Sequence, residues 1–335
     1  MHLGNTIPSQ TVTSFTAVQA AIYMWFKNLL IYRFTKPFTL TAEEVNERLT
    51  EKSFTPCNSQ DVASYGWTMP LGSQGSEYIH VANNCIMVCA QKQDKILPAS
   101  VVNEVLADKL EEIKLSEDRV PGRKERAELK DEIIFSLIPR AFTRSSRVFA
   151  YIAPEQGLLI VNSGSHNRAE ELLNFLRESL GSLPVIPVKA KNVAQHQMTE
   201  WLTQGSAPAG FELGGECELR DKADESAVIR CKNQNLCSAE INNHIQTGMF
   251  VNKIALRWVG DIEFIIDDQL SIKRLNFGDL IQDKIGDVNT ESAAEQFDVD
   301  FAIMTAEFAK FIPAVLDAFG GEDTSEQGDV ISSAA

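Results

Sequence analysis

The 335-residue sequence is short of the features that announce a chemistry or a compartment. Its six cysteines, at 57, 85, 89, 217, 231 and 237, form no C-x-x-C pair. Five histidines, at 2, 80, 166, 196 and 244, do not supply the close Cys/His pairs of a structural zinc site. Cys85 and Cys89 lie in an apolar stretch, C-I-M-V-C, that reads as a strand with two reduced thiols on one face. The longest unbroken apolar run is seven residues, Ala20 to Phe26, against the roughly 20 of a membrane span. No Lys or Arg precedes Met24, so the basic flank of a secretory signal is missing and a cytoplasmic protein is expected. There is no G-x-S-x-G elbow, Walker loop or G-x-G-x-x-G; Gly72-Ser-Gln-Gly75 is a turn. For a divalent metal the candidates are Asp298-Val-Asp300 and Asp267-Asp268, the latter at an expected hairpin turn where Asp is common. No cofactor is expected.

What is present is a core. Apolar residues make up 44% and charged residues 23%, ordinary values for a folded chain of about two domains. Residues 25–34 read as a strand, and Thr41-Ala-Glu-Glu44 as a capping box opening a helix to about Lys52. Tyr78–Ala90 is a second strand region. Pro98 takes the first position of a helix whose Val102, Leu106, Leu110 and Ile113 recur at helical spacing. Pro121-Gly122 breaks it, and Leu129, Ile133 and Leu137 carry a second helix to Pro139, giving a helical hairpin. Arg147–Ile152 and Leu158–Val161 predict a β-hairpin, and 166–180 a helix ending at Gly181. Pro184 and Pro187 predict a linker. Strands follow over 228–232, 253–258, 262–266 and 271–277, with a helix over 238–246. The last helix, about 298–319, lines up Phe301, Met304, Phe308, Phe311, Val315 and Phe319, and Pro313 should kink it.

The charge is unevenly spread. Against 46 Asp and Glu stand 31 Lys and Arg, a net −15 that argues mildly against nucleic acid. Residues 24–150 hold 17 basic and 17 acidic side chains, so the whole excess lies beyond 150. Within the neutral half, 119–147 carries Arg119, Arg123, Lys124, Arg126, Lys130, Arg140, Arg144 and Arg147 against Glu125, Glu128, Asp131 and Glu132. From Ile133 to Pro154 there is no acid at all, and Phe142 and Phe149 are interleaved with the arginines. In the acidic half, 230–260 is locally basic through Arg230, Lys232, Lys253 and Arg257. Such a run is either a solvated helix face or a basic lining on an acidic body. Charge alone leaves both open.

Ten strings in order then resemble the recombination-associated protein RdgC family. They are M-W-F-K-N-L (24–29), F-T-P-C (54–57) with Ser59-Gln60-Asp61, H-V-A-N (80–83), K-I-L-P (95–98) and I-P-R-A-F (138–142). After them come L-G-S-L-P (180–184), T-E-W (199–201), V-I-R-C-K-N-Q (228–234), K-R-L (273–275) and F-D-V-D-F (297–301). The resemblance spans Met24 to about Gly321. It implies an α+β crescent that closes with a second copy into a two-fold ring with a basic hole. It further implies binding of double-stranded DNA, and single-stranded DNA as a further substrate, with little sequence preference. No catalysis is implied; occupying the nucleoid DNA antagonises RecA recombinase in recombination and replication-fork maintenance. The implied organisation is an extension over 1–23, a central α/β domain from 24–94 and 146–182, and a helical-hairpin tip over 95–145. A base domain with a finger-like segment covers 183–321, and an acidic disordered tail covers 322–335.

Residue by residue, the resemblance places Phe142 at a hydrophobic gate between the crescent tips; read from the residues alone, Phe142 is a core aromatic. The finger of the family bears two adjacent lysines, and this sequence keeps Lys232 but has Asn233 in the second position. The expected DNA-contacting set is Arg140, Arg144, Arg147, Lys92, Lys95, Arg123, Lys124, Arg230, Lys232, Gln234, Lys273 and Arg274. Two other readings compete: an acidic factor that contacts the recombinase directly, its basic strip serving dimer contacts, and a metal-dependent nuclease.

Overall fold

The protein is described from a computed structural model over residues 25–224, 226–286, 290 and 292–325. The expected extension over 1–23 and tail residues 326–335 lie outside the described residues. The fold is mixed α and β, with two antiparallel sheets among the described residues. The seven-stranded sheet contains β1 (Leu30–Phe34), β2 (Ala63–Thr68), β3 (Ile79–Ala82), β4 (Cys85–Ile96), β5 (Phe142–Ala153), β6 (Leu158–Val161) and β7 (Val185–Pro187). Its order is β2-β4-β5-β6-β1-β7, with β3 also paired to β4.

Cys85–Ala90 of β4, Val148–Ala153 of β5 and all of β6 are apolar at every position because both faces of the sheet are covered there. Ile86, Val88, Ala150, Ile152, Leu159 and Val161 point into one core, shared with α1 (Ala42–Thr50) and α4 (His166–Leu180). Met87, Tyr151 and Ile160 point into the other. The capping box opens α1 as expected: Thr41 Oγ1 accepts from the Glu44 amide, and the Glu44 carboxylate accepts from the Thr41 amide. Between β4 and β5 stands the helical hairpin, α2 (Ala99–Glu117) and α3 (Arg123–Leu137), turned at Asp118 in a left-handed conformation. Each of these helices buries a single residue, Val102 in α2 and Ile133 in α3. The hairpin therefore stands off the main core.

The five-stranded sheet runs β12-β11-β10-β8-β9, built from β8 (Phe211–Asp221), β9 (Val228–Cys231), β10 (Met249–Trp258), β11 (Ile262–Asp267) and β12 (Ile272–Phe277). Helices α5 (Ala194–Gln204), α6 (Ala239–Gln246), α7 (Asp279–Gly286) and α8 (Ala293–Ala318) complete the chain. Helix α8 begins five residues before its expected start, capped by Ser292 Oγ accepting from the Glu295 amide, and it continues through Pro313. Its Phe301 meets Tyr151 of β5, and its Phe311 meets Phe264 of β11, so one aromatic layer serves both sheets.

Three expectations change. The strand expected over 25–34 is β1 only from Leu30; residues 27–29 pair instead with β12, Leu29 exchanging backbone hydrogen bonds with Ile272 at 2.8 and 3.1 Å. The Pro184–Pro187 linker is β7, an edge strand on β1 that tolerates proline because its outer N–H positions need no partner. The hairpin strand expected from Arg147 begins at Phe142, pairing in unbroken register from Ile86↔Ile152 to Ile96↔Phe142.

Candidate nucleic-acid interface

The outer half of β4–β5 leaves the core as a two-stranded ribbon, and most of the basic candidates stand on or beside it. Strand parity divides them. Gln91, Lys95 and Arg147 share one face, and Lys92, Asp94, Phe142 and Arg144 share the other. Arg147 donates through Nε to Gln91 Oε1 at 3.0 Å, and Lys92 is held by Glu171 of α4 at 2.6 Å. Lys95, Arg140 and Arg144 have no carboxylate partner among the described residues; Arg144 stands opposite Asp94 without closing an ion pair.

On the hairpin, Arg119 is clamped by Glu117 and Glu125, whereas among the described residues Arg123 has no carboxylate partner and Lys124 reaches only Glu128 at 3.8 Å. Arg123 and Lys124 occupy the first turn of α3, the end where the helix dipole disfavours positive charge. Stability does not explain that placement.

Phe142 is not a core residue. Its side chain is 84% exposed, opposite Ile96 at 43%, so two apolar side chains face water at the end of the ribbon.

The five-stranded sheet treats its cations differently. On the face opposite Cys217, Leu219 and Ile266, the register sets Arg230, Glu218, Lys253 and Asp267 side by side across β9, β8, β10 and β11. Glu218, buried, accepts from Arg230 at 2.9 Å, Arg220 at 3.0 Å and Lys253 at 3.1 Å. Burial pushes its carboxyl up, but hydrogen bonds from Arg230, Lys253 and Arg220 overcome this and hold it at about 2. Lys273 is bound to Asp267 at 2.9 Å, and Arg274 pairs with Glu216. Arg230, Lys273 and Arg274 are thus already neutralised within the chain. Lys232 and Gln234 are exposed and meet no carboxylate among the described residues, in a segment turned by Asn233 in the left-handed region at φ 52° and held by the Gln234 amide on Gly215 O at 3.1 Å. Arg220 and Lys253, outside the expected DNA-contacting set, join this cluster; Arg220 lies two residues from Glu218 on β8, whereas the Lys253 contact crosses strands and is invisible in a linear window.

A family model described as "Putative exonuclease, RdgC" matches residues 24–322. The chain belongs to the RdgC family. It is 47% identical over 302 residues to a protein of Aeromonas hydrophila named "Recombination-associated protein RdgC", covering 90% of this chain and 100% of that one. Proteins of the same name from Psychromonas ingrahamii and Proteus mirabilis are 44% and 43% identical, covering 90% and 89% of this chain and 100% and 99% of theirs. The descriptions differ in kind, one naming a nuclease and the others recombination, and neither establishes an enzymatic activity.

In this RdgC-family chain the two acidic pairs do not join a group of metal-ligating side chains among the described residues. Asp267 is engaged by the Ser271 amide and Lys273, while Asp298 lies 3.2 Å from His80 Nε2. Asp300 is buried, accepting from Gln296 Nε2 at 2.8 Å. No helix among the described residues is long and apolar enough to cross a membrane.

Proposed function

We propose that the protein binds double-stranded DNA without sequence preference, closing as a crescent with a second copy into a two-fold ring around the duplex. By occupying DNA in the nucleoid it antagonises a RecA-type recombinase, and no catalytic step belongs to this role. The observation that carries the reading is that five of the expected DNA contacts, Lys95, Arg140, Arg144, Arg123 and Lys232, have no carboxylate partner among the described residues, in a chain of net charge −15. Cations without a carboxylate partner are open to phosphate, while the acidic remainder of the chain repels polyanions. Phosphate contacts of this kind position a protein without reading bases. The exposed Phe142–Ile96 pair supports the 95–145 segment as one contact between copies, and the name of the relatives supports recombination as the setting.

The test is fluorescence anisotropy with linear duplexes of unrelated sequence, in the absence of recombinase, across a salt series. Log affinity is expected to fall linearly with log salt at a slope near −0.9 per phosphate contact, on the order of −4 or steeper for a dimer. Single strands run in parallel rank the two substrates. Binding that requires recombinase would establish instead the acidic factor that contacts the recombinase directly, and shortened duplexes on adding magnesium would establish the nuclease.

A further inference from the structure

Two of the six cysteines stand directly opposite each other. Cys217 of β8 and Cys231 of β9 are register partners in an antiparallel ladder, both reduced, on the face turned toward the α8 core. Opposed residues in such a ladder have Cα atoms about 4.5–5.5 Å apart, inside the roughly 4.4–6.8 Å that a disulfide spans. The other neighbouring pair shows what does not qualify. Cys85 and Cys89 lie four residues apart on one strand, about 13 Å along it, and both are buried.

We propose that Cys217 and Cys231 are a redox-reactive dithiol that a peroxide closes into a reversible cross-strand disulfide at the root of the Lys232 segment. The two thiols have different surroundings. Cys217 is 5% exposed, and burial together with the adjoining Cys231 pushes its thiol up to about 12. Cys231 is half-buried on the edge strand of the sheet, within reach of solvent. Cys231 is therefore the attacking sulfur and Cys217 the resolving one. In the first step the Cys231 sulfur attacks one peroxide oxygen, the O–O bond breaks, and a sulfenic acid and one water result. In the second, the Cys217 sulfur attacks the sulfenic sulfur; the S–S bond forms, the S–O bond breaks, and the oxygen leaves as a second water carrying the Cys217 proton. Two thiols and one hydrogen peroxide give one disulfide and two waters, and a thiol reductant reverses the change.

Strand β9 is four residues long and pairs on one side only, so its sole anchor in the sheet is β8. The bridge fixes its far end one residue before Lys232. Amide exchange over 229–234 should slow in the oxidised protein. Any effect on DNA rests on the phosphate role proposed for Lys232, so the test omits DNA.

The test uses the full chain carrying Cys237→Ser, which removes the exposed thiol most prone to linking two molecules. The protein is treated with hydrogen peroxide while folded, alkylated, and mapped by proteolysis and mass spectrometry. A 217–231 linkage, loss of two hydrogens per chain, recovery with dithiothreitol, and slower exchange over 229–234 are expected. Cys231 recovered as sulfinic acid with Cys217 alkylated, or both thiols intact under conditions that oxidise a free thiol standard, would overturn the proposal. A chain also carrying Cys217→Ser should accumulate sulfenic acid at Cys231, trapped by dimedone, without the linkage. If that variant does not fold, the map of the Cys237→Ser chain decides.

Discussion

Arg33 of β1 and Glu322, near the end of the described chain, meet through a two-point contact, with Arg33 Nε donating to Glu322 Oε1 at 2.7 Å. Both side chains are largely shielded from water, and the same guanidinium donates to the carbonyls of Gln156 and Gly157. Beside it, Lys191 and Asp323 donate backbone hydrogen bonds to Gly321 and Lys189, so the segment after α8 is laid along residues 189–191 as a strap. Hydrogen bonds to charged groups contribute about 1.5–3 kcal/mol when shielded. Arg33→Ala and Glu322→Ala should each lower stability by that order in urea unfolding, and the double variant by clearly less than the sum. Additive losses would mean that the two side chains stabilise the fold independently.

The distinction between unpaired and pre-paired cations separates two groups of variants. Arg140→Ala, Arg144→Ala or Lys232→Ala should each flatten the salt dependence of DNA binding by about one unit of slope while leaving the melting temperature near that of wild type. Arg230→Ala and Lys273→Ala remove partners of the buried Glu218 and Asp267. Their first effect should be on stability, with a smaller change in slope. Equal slopes across all five variants would show that internal pairing does not decide which cations meet phosphate.

Acid should expose the same cluster. The Glu218 carboxyl is held at about 2, against an ordinary value of about 4.3. A carboxylate held low in the folded state adds stability at every pH above its unfolded value. That contribution is lost as pH falls from about 4.3 toward 2. Glu218→Gln should therefore be less stable than wild type at pH 7, and the gap should narrow steadily between pH 4 and pH 2. A gap that stays constant over that range in chemical denaturation would assign the stabilisation to packing.

Phe142→Ala should leave the melting temperature almost unchanged, because its ring is 84% exposed; a core phenylalanine would cost about 3–5 kcal/mol. As an anchor between copies its loss should weaken the tip contact by about 2 kcal/mol, roughly 30-fold. The ring would then open more readily while its second interface holds the dimer. Retention on circular duplex, measured as a dissociation rate, should fall with it. Unchanged retention would remove Phe142 from the interface.

Much of the architecture was legible because local chemistry and global fold agreed. Pro98, Pro121-Gly122 and Pro139 bracket the helical hairpin in sequence as in space, and the unbroken apolar runs of β4, β5 and β6 announce strands covered on both faces. The misses have physical causes. Strand β8 carries Gly214-Gly215, which reads as a turn; a Cβ on Gly214 would lie 2.8 Å from that of Ala255, so the glycine answers to the neighbouring strand, beside a register shift. Strand β7 is made by the open edge of β1 rather than by its own propensity. For the interface, composition found the basic run, but the separation of Arg144 from Arg147 depends on strand parity. The neutralisation of Arg230 depends on Glu218, twelve residues away across a hairpin. Neither relation exists until the sheets form.

The pairing of residues 27–29 with β12 has a consequence for the order in which this protein is made. The first described residues leave the ribosome early, yet Leu29 waits for Ile272, and the Phe26 amide rests 3.3 Å from the sulfur of Met304, 278 residues downstream. A closure over so long a separation is slow, and until it occurs Trp25, Phe26 and Leu29 lack the later half of the core that covers them. The opening segment is then a guest of the finished chain. Nascent chains halted before β12 should hold it open to chaperones and proteases, and only release of the full length should take it in.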